Sequence, residues 1–274
     1  MDRGAILKAF ESNLWDRAAF LPKVRKDSVV DESVDLLLVD SGLANADFNT
    51  IGKSSLHPRF GAERIEKAIK HFKSKKLPFT WILGPLSGHG AMEPTLKGLG
   101  LTCPEDQWVM AMTLDTVNIP GTVPGGLDVK RVVNAAQLDH FADVMTANTP
   151  ADETIKTFYT DTKDAIIAPA SPLRLYVGYI SNEPVAVLEA FSAHGILNLY
   201  AMAALASVRS SARPISYAAR PASTARANAQ AMRFGSEATA MAVFTSTASA
   251  PNSIASAAWL GAPIPASTTT GTVA

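Results

Sequence analysis

Glu189 stands in the apolar run Val185 to Phe191, flanked by Leu188 and Ala190. A carboxylate in such a run either faces solvent on one side of a sheet or sits in a cleft as a proton acceptor. Other side chains able to do chemistry are sparse. His57, His71, His89, His140 and His194 show no spacing that sets two imidazoles on one face, so no metal site is expected. Cys103 is the single cysteine, which leaves a half-buried structural thiol as its expected role. Gly84, Gly88 and Gly90 follow an apolar run, where backbone amides could approach an anion. No Gly-Lys-Ser/Thr follows and the spacing fits no dinucleotide fingerprint, so a plain loop is expected.

The stretch that must position Glu189 runs from Leu173 to Leu205. Leu173 to Ile180 and Val185 to Phe191 are apolar runs joined by Ser181-Asn182-Glu183-Pro184, which has turn chemistry. Ser192-Ala193-His194-Gly195 breaks the pattern, and Ile196 to Leu205 supplies a third run, predicting an antiparallel meander of three strands. Pro184 is expected to open its strand and Gly195 to supply a positive φ.

The preceding chain alternates helix and strand. Ile6 to Val24 has helical spacing at Phe10, Leu14, Trp15 and Ala18, with Pro22 near its end. Leu36 to Val39 reads as a short buried strand with Phe48 to Ile51 as its antiparallel neighbour. Ala62 to Lys75 is an amphipathic helix with Ile65, Ile69 and Phe72 on one stripe and a lysine-rich solvated face. Pro78 to Leu83 is a strand, Met92 to Leu99 a helix stopped by Gly100, and Trp108 to Leu114 another strand. Ile119 to Gly126 is rich in proline and glycine and reads as a linker. Beyond it Leu127 to Val133 is a strand, Asn134 caps a helix with Leu138, Phe141, Ala142 and Met145 inward, and a second helix spans about Ala151 to Ile167.

Composition narrows the function classes. The 274 residues are 47% hydrophobic with a mean hydropathy of +0.10, and the formal net charge is zero. That balance gives no electrostatic case for nucleic acid or an anionic membrane as partner. No apolar run reaches the roughly 18 residues of a membrane span and the start has no signal-type core, so a cytoplasmic protein is expected.

The order strand, helix, helix, three antiparallel strands resembles the GNAT N-acetyltransferase superfamily. The resemblance is densest in Ser171 to Tyr179, Glu183-Pro184-Val185-Ala186 and Asn198-Leu199-Tyr200. Ser41-Gly42-Leu43, Phe48-Asn49, Pro78 to Trp81 and Gly84-Pro85 resemble the degenerate amino-terminal half of tandem GNAT proteins. The implied fold class is α/β (α+β), an acyl-CoA N-acyltransferase fold with a mixed, mainly antiparallel sheet. Its implied organisation is a degenerate module over 1–118, a linker over 119–126 and a GNAT domain begun over 127–205.

The resemblance also implies acetyl transfer from acetyl-CoA to a small-molecule or peptide amine, with no metal. Glu189 is then the proton acceptor. Amides of Met202, Ala203 and Ala204 would stabilise the thioester oxyanion. The CoA pyrophosphate is expected on an Arg-x-x-Gly-x-Gly loop, where this chain reads Arg209-Ser210-Ser211-Ala212-Arg213-Pro214. Arg209 alone matches there, with Ser211 and Ala212 in the cradle. The alternative is a non-catalytic GNAT-like protein that binds a ligand or partner.

Residues 206–274 depart from the family. From 201 to 274 there is no Lys or Asp, one acidic residue (Glu237), and 42 Ala, Ser or Thr. A frameshifted translation or a natural low-complexity extension would each give this composition. Both predict a poorly ordered tail that leaves the strand edge at Ile196 to Leu205 exposed.

Overall fold

The computed structural model describes residues 2–56, 61–84, 86–87, 89–102, 106–113, 126–149, 152–209, 241–246 and 254–261. In chain order the first half holds α1 (Arg3–Phe20), β1 (Val29–Glu32), β2 (Leu37–Asp40), β3 (Thr50–Gly52), α2 (Gly61–Lys75), β4 (Phe79–Leu83), α3 (His89–Gly98) and β5 (Asp106–Thr113). The remainder holds β6 (Leu127–Arg131), α4 (Ala135–Ala147), α5 (Thr154–Asp161), α6 (Lys163–Ile167), β7 (Leu173–Ile180), β8 (Glu183–Ala193), β9 (Ile196–Ala204), α7 (Ala206–Arg209), β10 (Met241–Ser246) and β11 (Ile254–Gly261). Contacts divide the chain into one unit of Met1–Val109 with Ser246–Ala274 and a second of Met110–Thr245. Apart from Gly126, the expected linker lies outside the described residues, as does Cys103.

In the first unit β1, β2 and β3 pair antiparallel in sequence, as the apolar pattern of 36–39 and 48–51 predicts for the inner two. β3 then runs parallel to β4, with Ile51 opposite Trp81. The amphipathic stripe of α2 covers this sheet: Ile65, Ile69 and Phe72 join Leu38, Ile51 and Trp81 in one buried cluster. On α1, Trp15 and Ala19 pack with Leu37 and Val39. Gly52 is required there, because a Cβ would lie 2.3 Å from the Trp15 ring.

Buried polar groups in this unit are held by specific donors. Asn49 accepts at Oδ1 from the Ser41 amide and hydroxyl, each at 2.9 Å, and donates through Nδ2 to the Leu43 and Pro78 carbonyls. One side chain thus ties the turn after β2 to the start of β4. Asp40 is fully buried and receives Lys75 Nζ at 2.6 Å, His71 at 2.7 Å and the Gly42 amide at 2.8 Å. Burial pushes its carboxyl up, but the hydrogen bonds from Lys75, His71 and Gly42 outweigh that and hold it below the ordinary value.

A folded value below the unfolded one means that Asp40 stabilises above the unfolded carboxyl pKa of about 3.9. That stability is lost as pH falls through the folded value. We expect Asp40→Asn to cost about 2 kcal/mol at pH 7, with the gap to wild type closing below pH 4. Urea unfolding at pH 7 and pH 3 checks this, and an equal gap at both would remove the charge as the cause.

In the second unit Asn134 caps α4 as expected, its Oδ1 accepting from the Gln137 amide at 3.0 Å. The single helix expected over 151–167 is instead α5 and α6, broken at Thr162. The Thr162 hydroxyl donates to the Phe158 carbonyl at 2.8 Å, a local bond that competes with helix continuation.

β6 pairs antiparallel with β7, and β7, β8 and β9 form the expected antiparallel meander. Its two turns are tighter than the sequence suggested. Ser181 and Asn182 have φ of 51° and 68°, and His194 and Gly195 have 55° and 72°, so each turn uses two left-handed residues and matches the twist of its strands. Glu183 and Pro184 therefore belong to β8. A register shift opposite Gly178 and Tyr179 accommodates the proline, as Pro184 pairs with Tyr179.

Within 206–274 the described residues include two strands. β10 pairs in parallel with β9 through Ala242 to Phe244 against Leu197 to Leu199, so the β9 edge is covered along those three residues. β11 pairs antiparallel with β4 and with β5, within the first unit. Both stretches, Met241-Ala-Val-Phe-Thr-Ser and Ile254 to Gly261, carry β-branched or aromatic residues among the alanines, which suits a strand. Apart from α7 and these two strands, the segment expected to be poorly ordered lies outside the described residues.

Candidate functional site

Glu189 sits mid-strand in β8 at 2% exposure, which removes the solvent-facing reading of this carboxylate. Its cross-strand neighbours are Leu175 on β7 and Tyr200 on β9. Alternation along β7 puts Leu175 on the same face as Tyr179. Tyr179 Oη lies 3.0 Å from His140 Nδ1 on α4, and α4 packs on β7, β8 and β9. Glu189 therefore belongs to the helix-covered face.

Two further polar side chains stand on that face. Asn198 is 1% exposed and donates through Nδ2 to the Tyr200 hydroxyl at 2.8 Å. Asn198 and Tyr200 pair in register with Phe191 and Glu189. Sequence reasoning passed over both. The signal was present, since polar residues at 198 and 200 in an otherwise apolar strand occupy the same face as the carboxylate on the adjacent strand.

β9 changes course next to this group. Val187 pairs with Ala203 and Glu189 with Tyr200, so Ala201 and Met202 together oppose the single residue Leu188. The extra residue is a β-bulge, and Ala201 takes φ of 44°, a left-handed conformation that costs an L-alanine about 1 kcal/mol. Nothing in the residue types announces it. The β10 ladder ends at Leu199, immediately before the bulge, while β9 continues to Ala204.

The three amides singled out from the sequence lie in this departing segment. Leu205 N–H donates to the Val185 carbonyl at 2.9 Å, which fixes the alternation. Ala203 consequently presents its N–H to β8, and Ala204 presents its own to the opposite edge. Met202 is in the bulge and is 56% exposed. Arg209 is the last residue of α7, a four-residue turn that follows β9 directly, whereas Ser211 and Ala212 lie outside the described residues.

Gly84 to Gly90 is likewise not an empty loop. Leu86 N–H donates to Glu11 Oε1 at 2.6 Å and Ser87 Oγ to Oε2 at 3.2 Å, so a carboxylate from α1 enters the turn after β4. No helix among the described residues is long and apolar enough to cross a membrane.

Solved structures have a similar fold. A GCN5-related N-acetyltransferase from Kribbella flavida superposes at a TM-score of 0.58 with 15% identity, covering 96% of each chain. A GCN5-related N-acetyltransferase from Sphaerobacter thermophilus gives 0.52 with 12% identity over 86% of this chain and 82% of that one. A functionally unknown conserved protein from Staphylococcus epidermidis gives 0.52 with 9% identity over 88% of this chain and 97% of that one. No family model matches the sequence, and no curated protein does. The chain has the GCN5-related N-acetyltransferase fold, matched over 96% of its length in the Kribbella flavida comparison.

Proposed function

We propose that this protein is an acyl-CoA-dependent N-acyltransferase that moves an acetyl group from acetyl-CoA to an amine of a small molecule or peptide. The observation that carries the reading is the bulge at Ala201 and Met202, placed where β9 leaves the β10 ladder and one residue beyond the partner of buried Glu189. Strands that separate leave backbone donors on their facing edges without ladder partners, which suits the amide-rich pantetheine arm of the donor.

Acetyl-CoA supplies a thioester carbonyl open to attack and a thiol leaving group. The residues of this chain supply the rest. Glu189 accepts the proton that the acceptor ammonium must lose before its nitrogen can form the new C–N bond, directly or through a water. The amides of Met202 and Ala204 donate to the carbonyl oxygen as negative charge develops there. Ala203 supports the same segment from the β8 side. Arg209, with Ser211 and Ala212 after it, stands at the start of the segment assigned to the CoA phosphates. The first 118 residues serve as a packing module in this reading, and the reaction belongs in the cytoplasm.

Thermal unfolding with and without acetyl-CoA tests it. A ligand at 100 times its dissociation constant adds about 2.7 kcal/mol, a shift readily measured. Absence of a shift at millimolar acetyl-CoA overturns the reading. A shift without acetyl transfer to any of a panel of amines moves the protein to the non-catalytic, ligand-binding alternative.

A further inference from the structure

The carboxylate of Glu11 is 7% exposed and lies in the turn between β4 and α3. Two neutral donors reach it. The Leu86 amide bonds Oε1 at 2.6 Å and the Ser87 hydroxyl bonds Oε2 at 3.2 Å, while the Ser87 amide closes the turn on the Gly84 carbonyl at 3.1 Å. Gly84 has no room for a side chain, since a Cβ there would lie 2.2 Å from Glu11 Oε1. The turn thus meets a carboxylate with an amide on one oxygen, a hydroxyl on the other, and a glycine that lets the carboxylate close on the backbone.

We propose that the Gly84 to Ser87 turn is an oxyanion cradle whose ligand is the chain's own Glu11 carboxylate. The phosphate or carboxylate of any external ligand is thereby excluded from this turn. The first unit is self-liganded at the place where a strand, a glycine-bearing turn and a helix follow one another. Burial pushes the Glu11 carboxyl above its ordinary value against the pull of its hydrogen bonds, so the cradle holds its charge at a cost in desolvation. A small carboxylate arriving from solution can meet the same donors once the side chain is gone. The inference depends on this geometry alone and stands or falls separately from the acyltransferase reading.

Chemical rescue of the full chain decides it, with no acyl donor present. Glu11→Ala is expected to lower the Tm by about 5 °C, because the Leu86 amide and the Ser87 hydroxyl lose their acceptor. Sodium acetate or formate at about 0.1 M should recover a measurable part of that loss in Glu11→Ala and leave wild type unchanged, with sodium chloride at equal ionic strength as the reference. A Tm equal to wild type, or the same response to acetate and chloride, overturns the proposal. Should Glu11→Ala fail to fold, Gly84→Ala pushes the carboxylate out while keeping it in the chain. That variant must lose a comparable amount of stability, and a Gly84→Ala protein as stable as wild type overturns the proposal equally.

Discussion

Glu189→Gln is expected to lower turnover by about two to four orders of magnitude while leaving the fold intact. The substitution keeps the shape of a side chain that is 2% exposed in the middle of β8, so packing against Leu175 and Tyr200 changes little. What it removes is the group that takes a proton. A carboxamide cannot accept the acceptor's proton, so kcat/KM should fall with kcat in the variant. The affinity for acetyl-CoA, measured by calorimetry, should be retained. If turnover survives, Glu189 is a buried structural carboxylate and the base lies elsewhere.

Trp81→Ala is expected to cost about 3 to 5 kcal/mol, a large part of the 5 to 15 kcal/mol that holds an ordinary domain together. Trp81 is fully buried on β4, opposite Ile51 on β3. It belongs to the cluster that joins Phe72 of α2 to Leu96 of α3. Its indole N–H donates to Ser54 Oγ at 3.0 Å, and Ser54 is itself 2% exposed. Truncation opens a cavity and leaves that hydroxyl without its donor. Trp81→Phe separates the two terms: it keeps most of the apolar volume and should cost about 1 kcal/mol through the lost hydrogen bond. Urea denaturation of both variants gives the comparison. Equal losses would place the whole effect on the hydrogen bond and none on packing.

The two substitutions probe different levels of legibility. The stripe Ile65, Ile69, Phe72 and the apolar runs around Trp81 and Glu189 are periodic over short windows, and periodicity is a local property that a sequence displays directly. The cap at Asn134, the stop at Gly100 and the positive φ at Gly195 are equally local, since each depends on the chemistry of one residue and its near neighbours. These features, together with the short patterns shared with the GNAT superfamily, determined the class of fold before any coordinates.

Tertiary structure alone decided the rest. Whether Glu189 met solvent or protein depended on α4 lying over its face of the sheet, which no residue near 189 specifies. The break at Thr162 turned on a hydroxyl choosing the Phe158 carbonyl over solvent. The bulge at Ala201 arises because β8 and β9 differ by one residue between two fixed pairs, a mismatch visible only once both registers are known. The placement of 254–261 beside β4 and β5 joins residues 145 to 182 positions apart, where pairing is chosen by the edges the rest of the sheet leaves open. Local composition marked that segment as low in charge and rich in small residues, and it could not say which edge would take it.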